Sequence, residues 1–521
     1  MAIQARKTAI RRTSINRLAS ARPGHRPFTL TLGAVLVASA FLPQTATAGG
    51  GNLPTGGKFA AGSGTISQSG NTLTVNQASN RAIINWNGFS VGEAASARFN
   101  NGSGATLNRV TGNTASRIDG NLSSSGSVYL INPSGVVVGP KGTINTGGTF
   151  AASTHDVDNQ QFMNGGDLTF KGDSQAQVIN AGTIRSAQGD VALIARRVEN
   201  SGTIEAPNGT VALAAGYEVL MRDAADADGK LSVKIGGGDT EALNSGAIRA
   251  AQAELRANGG NVYALAGNTQ GVIKATGTAS KGGRIFLTAG DTGTVQSTGT
   301  LEARHASQGG TVTVTGGNVE VAGVIDASAT AAGGQGGQVV AIAGNTAKFS
   351  GKIKAEGGQG GKGGFVETSG KKHIEIADST RVSTQAKGGQ TGRWLLDPDD
   401  LIVDDIANGG NVSADTIVTS LAQTNFELVT GDGSSGNGDI VVRQAITWDS
   451  GNTLSLLAAR NIAINAAITG RNGGLTLTPA AAGQVTTGAA GAIDVGTFTL
   501  TQGTWNQIGP ALPSFAARDF R

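Results

Sequence analysis

Gly309-Gly310-Thr311-Val312-Thr313-Val314-Thr315 decides the fold. Val312 and Val314 fall on one side of an extended chain and the threonines on the other, which is the period-2 alternation of a strand with one buried face. The frame recurs, because Gly-Gly pairs open similar stretches at Gly282-Gly283, Gly309-Gly310, Gly336-Gly337 and Gly363-Gly364, 27 residues apart each time. Between them stands a second strand signature: Gly271-Val272-Ile273-Lys274-Ala275, Gly299-Thr300-Leu301-Glu302-Ala303, Gly323-Val324-Ile325-Asp326-Ala327 and Gly351-Lys352-Ile353-Lys354-Ala355. Upstream the period is 20 residues: Asn180-Ala181-Gly182-Thr183-Ile184 returns as Asn200-Ser201-Gly202-Thr203-Ile204, and Val191-Ala192-Leu193 as Val211-Ala212-Leu213. Asn244-Ser245-Gly246-Ala247-Ile248 is a further copy.

Two punctuated strand types per short period signal a solenoid. A helical repeat would place apolar residues at i, i+3 and i+4, and these stretches do not. The expected fold is therefore all-β, a right-handed parallel β-helix with inward ladders of aliphatic side chains. Its strands stack about 4.8 Å apart, its turn glycines and asparagines accept positive φ, and its hand follows the crossover preference of parallel strands.

Composition agrees. Glycine supplies 82 of 521 residues and proline only 11, a pairing that disfavours both disorder and long helices. With no cysteine, stability must come from repetitive burial and backbone pairing, and thiolate-held metals are excluded. No cofactor is called for.

The first 48 residues read as an export leader. Arg6, Lys7, Arg11, Arg12, Arg17, Arg22 and Arg26 precede an apolar run from Phe28 to Leu42, and Ala46-Thr47-Ala48 precedes Gly49. That is a Sec-type signal peptide with cleavage defined by Ala46, Ala48 and Gly49. Its removal leaves 33 Lys+Arg against 36 Asp+Glu, so the mature chain carries a net charge of −3. A basic nucleic-acid binder is not supported, and no other apolar stretch reaches the roughly 18–20 residues of a membrane helix.

Three stretches resemble a known family. They are Ala82-Ile83-Ile84-Asn85-Trp86-Asn87-Gly88-Phe89-Ser90-Val91-Gly92, Ala105-Thr106-Leu107-Asn108-Arg109-Val110 with Ser116-Arg117-Ile118-Asp119-Gly120, and Val128-Tyr129-Leu130-Ile131-Asn132-Pro133-Ser134-Gly135-Val136. Residues 49–222 are similar to the secretion domain of filamentous haemagglutinin exoproteins, which use two-partner secretion. The family carries an Asn-Pro-Asn-Gly-Ile type motif at the last stretch; Ser134 and Val136 depart mildly from it. The family's Asn-Pro-Asn-Leu motif has no clean match. Residues 391–521, with Trp394-Leu395-Leu396-Asp397-Pro398, are similar to the region that follows the secretion domain in large family adhesins.

The resemblance implies a β-helix with an N-terminal cap and a partner, an outer-membrane β-barrel transporter with periplasmic recognition domains. The expected organisation is a leader at 1–48, a secretion domain at 49–222, β-helix repeats at 223–395 and a less regular β-rich region at 396–521. The product would sit at the bacterial cell surface and engage a host or neighbouring cell surface as an adhesin. A haem- or host-protein-binding exoprotein of the same secretion type is the alternative, and a polysaccharide-active β-helix enzyme a distant third.

Asn132, Pro133, Ser134 and Gly135 form the candidate transporter-recognition motif. By composition they are also a turn, since Asn starts turns, Pro fixes φ and Gly takes positive φ. Asp397, Asp399, Asp400, Asp404 and Asp405 match no calcium-loop spacing and read as a junction loop. Glu302, Asp326 and Glu356 occupy similar repeat slots, but Lys274 and Lys354 share them, which reads as an outward face. Trp86, Trp394, Trp448 and Trp505 read as cap or turn packing, and His155, His305 and His373 as solvent or turn residues.

Overall fold

In a computed structural model the protein is described at residues 52–226, 229–236, 239–257, 265–276, 282–431, 436–507 and 512–521. It falls into two units, residues 1–48 and 49–521, and every described residue belongs to the second. The expected leader and the expected cleavage residues Ala46, Ala48 and Gly49 lie outside the described residues.

The second unit is a parallel β-helix. Each coil contributes a strand to each of three ladders, and each strand pairs with its counterparts in the coils before and after. One ladder runs through Ser116–Ile118, Val136–Val138, Gln177–Asn180, Arg197–Asn200, Glu241–Asn244 and Leu265–Asn268. A second runs through Ser96–Asn100, Asn121–Ser124, Thr143–Thr146 and Thr183–Ser186. The third takes Arg81–Trp86, Ala105–Val110, Ser127–Ile131, Phe150–Ser153 and Val191–Ala195.

The sequence period is the register. Thr183 lies beside Thr203 and Val191 beside Val211, the 20-residue step. Val312 lies beside Val339 and Val339 beside Val366, the 27-residue step. One inward column of the third ladder reads Val191, Val211, Ala253, Ile285, Val312, Val339, Val366, Trp394, Phe426 and Leu454, all fully buried. Burying each large member contributes about 1.5–3 kcal/mol, and the backbone between them is saturated by its neighbours.

The first coil is capped. Lys58–Ala61 runs antiparallel to Arg81–Trp86, and Gly64–Ser69 antiparallel to Thr72–Gln77, so among the described residues the antiparallel strand pairs of the helix body cover its open N-terminal edge. Inside the cap Trp86 meets Phe89 edge-on at 5.4 Å, and its indole N–H donates to Asn108 Oδ1 at 2.9 Å.

A second core lies outside the helix. The short helix Asn159–Asn164 and the antiparallel strands Leu168–Lys171, Glu218–Asp226 and Gly229–Ile235 cover the outer side of the third ladder. Ile83, Leu107, Tyr129, Ala192 and Ala212 are buried there against Phe162, Phe170, Val219, Met221 and Leu231. The one-buried-face reading therefore fails in these coils: all five residues of Val191–Ala195 are buried. Burial pushes the Tyr129 phenol up to about 12. His155 is also covered rather than solvated. It is fully buried, and its Nε2 lies 2.7 Å from the Gly216 carbonyl.

The Gly-Gly pairs have another cause than the one expected. None of Gly309, Gly310, Gly336 or Gly337 has positive φ. A Cβ on Gly309 would strike the Ala327 carbonyl, and one on Gly310 the Gly283 carbonyl. These glycines let the corners of successive coils approach backbone to backbone.

Coils continue past Trp394, through Asn425–Val429, Thr453–Leu457 and Ile468–Thr478. The helix Ala414–Leu421, capped by Ser413 Oγ accepting from the Thr416 amide, packs between Arg381–Ser383 and Ile446–Thr447. It buries Ile417 and Leu421 where a strand would otherwise stand.

Candidate functional site

Strand Ser127–Ile131 ends the third ladder's pass through its coil, and Val136–Val138 begins the next coil. The four residues between them are Asn132, Pro133, Ser134 and Gly135. Asn132 is fully buried, and it organises the turn from inside. Its Oδ1 accepts from the Ser134 amide at 2.9 Å and its carbonyl from the Gly135 amide at 2.9 Å. Its Nδ2 donates to the Thr114 carbonyl and to Ser116 Oγ, both at 2.9 Å, which ties the turn to the preceding coil.

Gly135 takes φ 108°, a left-handed conformation that disfavours a side chain. Pro133 is exposed and Ser134 half-buried at the rim, and the Pro133 carbonyl accepts from Ser174 Oγ at 2.6 Å. The folded turn thus buries the asparagine and offers the proline. The asparagine specifies the turn chemically, while the proline is what a partner could touch once the domain has folded.

A second motif proves to be a buried ladder. Asn180 Nδ2 donates to Asn200 Oδ1 at 2.7 Å, Asn200 Nδ2 to Asn244 Oδ1 at 2.7 Å, and Asn244 Nδ2 to Asn268 Oδ1 at 2.9 Å. All four are fully buried at the corner between the first and second ladders. The repeated Asn-x-Gly element was visible in the sequence. The stacking of its amides needed the register. The column ends at Ser297, whose buried hydroxyl has no partner.

The remaining candidates separate. Glu302 accepts from Lys274 Nζ at 2.9 Å, and Asp326 lies beside it in register, 3.6 Å from Arg304. Glu356 turns aside to accept from Ser383 Oγ. Asp400 Oδ1 accepts from the Asn437 and Asp439 amides, and Asp404 Oδ1 from the Asp405 amide. Burial pushes the Asp397 carboxyl up, as does nearby Asp399.

Trp86, Trp394 and Trp448 are buried, with their indole N–H groups donating to Asn108, Thr368 and the Asn452 carbonyl. Trp505 is partly buried and packs against Phe498 and Phe515. His305 and His373 lie on other coils than His155. Among the described residues no three His, Asp or Glu side chains gather to hold a metal, and no helix is long and apolar enough to cross a membrane.

A capped parallel β-helix with a sheet laid on its outer side, and an asparagine-pinned Pro-Ser-Gly turn on its edge, defines the class as a capped β-helix protein. Residues 51–303 match the family model described as the TPS secretion domain. The chain thus carries a secretion domain of the two-partner type over just under half of its length, and that domain implies an outer-membrane transporter as its partner.

Among curated proteins it is similar to a haem/hemopexin-binding protein of Haemophilus influenzae, 34% identical over 109 residues. That stretch is 20% of this chain and 12% of the relative, so the chain spans a small part of that protein's length. Among solved structures, the HMW1 secretion domain of Haemophilus influenzae aligns with 87% of this chain and 100% of its own, at 20% identity and a TM-score of 0.43. A filamentous hemagglutinin secretion domain aligns with 65% and 97%, at 16% identity and a TM-score of 0.28.

Proposed function

We propose that this exoprotein is an adhesin held at the bacterial surface, delivered to the periplasm by the Sec route and through the outer membrane by its dedicated transporter. The observation that carries the reading is the secretion domain at 51–303 opening a β-helix that continues through the described chain to residue 521. Such a rod displays long flat faces of Thr, Asn and charged side chains, suited to contact with a host or neighbouring cell rather than to turnover of a substrate. The Asn132-Pro133-Ser134-Gly135 segment is the part of the domain read by the transporter before folding, when Asn132 is accessible.

Co-expression with and without the partner transporter, followed by a cell-attachment assay on the secreted chain, tests the proposal. Export that needs the transporter together with attachment that needs the chain is expected. Normal attachment by cells lacking the chain would remove the adhesin reading and leave the export reading intact.

A second reading has one observation in its favour, the similarity to a haem/hemopexin-binding protein. On that reading the same rod captures haem or its carrier protein. A Soret shift on adding haem to the purified chain, or its retention on immobilised hemopexin, is the expected outcome.

A further inference from the structure

The strands Glu218–Asp226 and Gly229–Ile235 form a hairpin that leaves the β-helix after one coil and lies across the outer side of its neighbours. Apolar burial holds its middle. The start of its second strand, at Lys230, is held by charge, and the two charged anchors come from coils on opposite sides of the hairpin in the sequence.

The earlier anchor is Asp190. Its Oδ2 lies 3.1 Å from Lys230 Nζ, its Oδ1 accepts from the Thr210 amide at 2.8 Å, and both side chains of the ion pair are largely buried. Lys230 Nζ also donates to the Asp223 carbonyl across the hairpin at 2.5 Å.

The later anchor is Glu254, on strand Ala247–Ala257, whose side chain is fully buried. Its Oε1 accepts from the Lys230 amide at 2.5 Å and its Oε2 from the Leu231 amide at 3.0 Å. Gln252 Nε2 donates to the same carboxylate, and so does Arg256 Nε at 2.9 Å. Gly229 completes the fit, because a Cβ there would stand 2.6 Å from Glu254 Oε1, and its φ is 103°.

A buried carboxylate is costly unless its lone pairs are filled. Here two of the donors are backbone amides that arrive only when the hairpin lies down. The Lys230 and Leu231 amides in turn find their acceptor in a residue that follows them by more than 20 positions.

We infer that the hairpin is a strap locked by Glu254, so that it closes over the second core only when the coil carrying Glu254 has been added. Residues before the hairpin supply the surface and Lys230's counter-ion, and the next coil supplies the lock. The extra-helical sheet and the coil at 241–257 are thereby one cooperative unit. A chain stalled before that coil leaves the strap open and Leu231, Met221 and Val219 available to solvent.

Amide hydrogen exchange on the mature chain, comparing wild type with Glu254→Ala, Glu254→Gln and the exposed-pair control Glu205→Gln, tests the inference. For Glu254→Ala, exchange at Lys230 and Leu231 and along Glu218–Asp226 is expected to rise on the order of 100-fold, while the coils at 311–349 keep their protection. Glu254→Gln, which keeps an acceptor but not the charge, is expected to show a smaller rise in the same amides, and Glu205→Gln none. If Glu254→Ala does not fold, the Glu254→Gln result decides. Wild-type protection of the hairpin in a folded Glu254 variant would overturn the inference, as would loss of protection spread evenly over all coils.

Discussion

Replacing Asn200 by alanine tests whether the buried asparagine column holds the coils together. Asn200 Oδ1 accepts from Asn180 Nδ2 at 2.7 Å, and its Nδ2 donates to Asn244 Oδ1 at 2.7 Å and to the Gly202 carbonyl at 3.4 Å. Alanine takes the donor from Asn244 Oδ1 and leaves Asn180 Nδ2 with only long contacts to Gly182 and Thr203 carbonyls. A buried polar group left without its partner costs about 1–3 kcal/mol, and two are affected, so the substitution should cost about 3 kcal/mol. Asn145→Ala, an exposed strand position, should stay within about 0.5 kcal/mol. Guanidinium unfolding of the mature chain, followed by circular dichroism, reads both. Equal midpoints for the two variants would refute the reasoning, because the column would then be an accident of stacking.

Further predictions share the same logic. Ser297→Asn should extend the column by one coil, give Asn268 Nδ2 a new acceptor and raise the unfolding free energy by about 1 kcal/mol; a lower midpoint would show that no room exists there. Val211→Asp puts a charge into the inward column between Val191 and Ala253, and the secreted fraction in a pulse-chase should fall sharply, whereas Thr203→Asp on the outer side should be exported normally. Gly135→Ala forces a side chain to φ 108° and should cost about 1–3 kcal/mol of stability, measured by thermal denaturation.

His155 makes stability depend on pH. Burial holds its imidazole below its ordinary 6.5. The unfolded chain therefore takes up the proton first, and stability present at neutral pH falls as pH drops below about 6.5. His155→Asn should flatten that slope, seen as a smaller melting-temperature difference between neutral and mildly acidic buffer.

The parallel stack was legible because its period is written twice, in Gly-Gly pairs and in the Asn-x-Gly-x-Ile element, and each spacing became a register. The second core was not read. Its signal is Val191-Ala192-Leu193-Ile194-Ala195, an unbroken apolar run that indicates burial on both faces, within which the alternation of Val191 and Leu193 accounts for one face alone. Glu254 carries no signal of its own in the sequence, since only a hairpin inserted between coils buries it, and insertions carry no period. The Asn132 turn was readable as a turn from composition. That its asparagine would be inside and its proline outside follows from Thr114 and Ser116 in the coil before, which the local sequence does not disclose.

The stack itself can be measured with paired spin labels, for which the absence of cysteine leaves a clean background. Thr143, Thr183, Thr203, Ala247, Val272, Thr300, Val324 and Lys352 occupy one outward column on successive coils. Labels at 143 and 272 should therefore lie about 19 Å apart, and labels at 143 and 352 about 34 Å apart, a rise of about 4.8 Å per coil. Distances that fail to grow with coil number would contradict the β-helix and everything argued from its register.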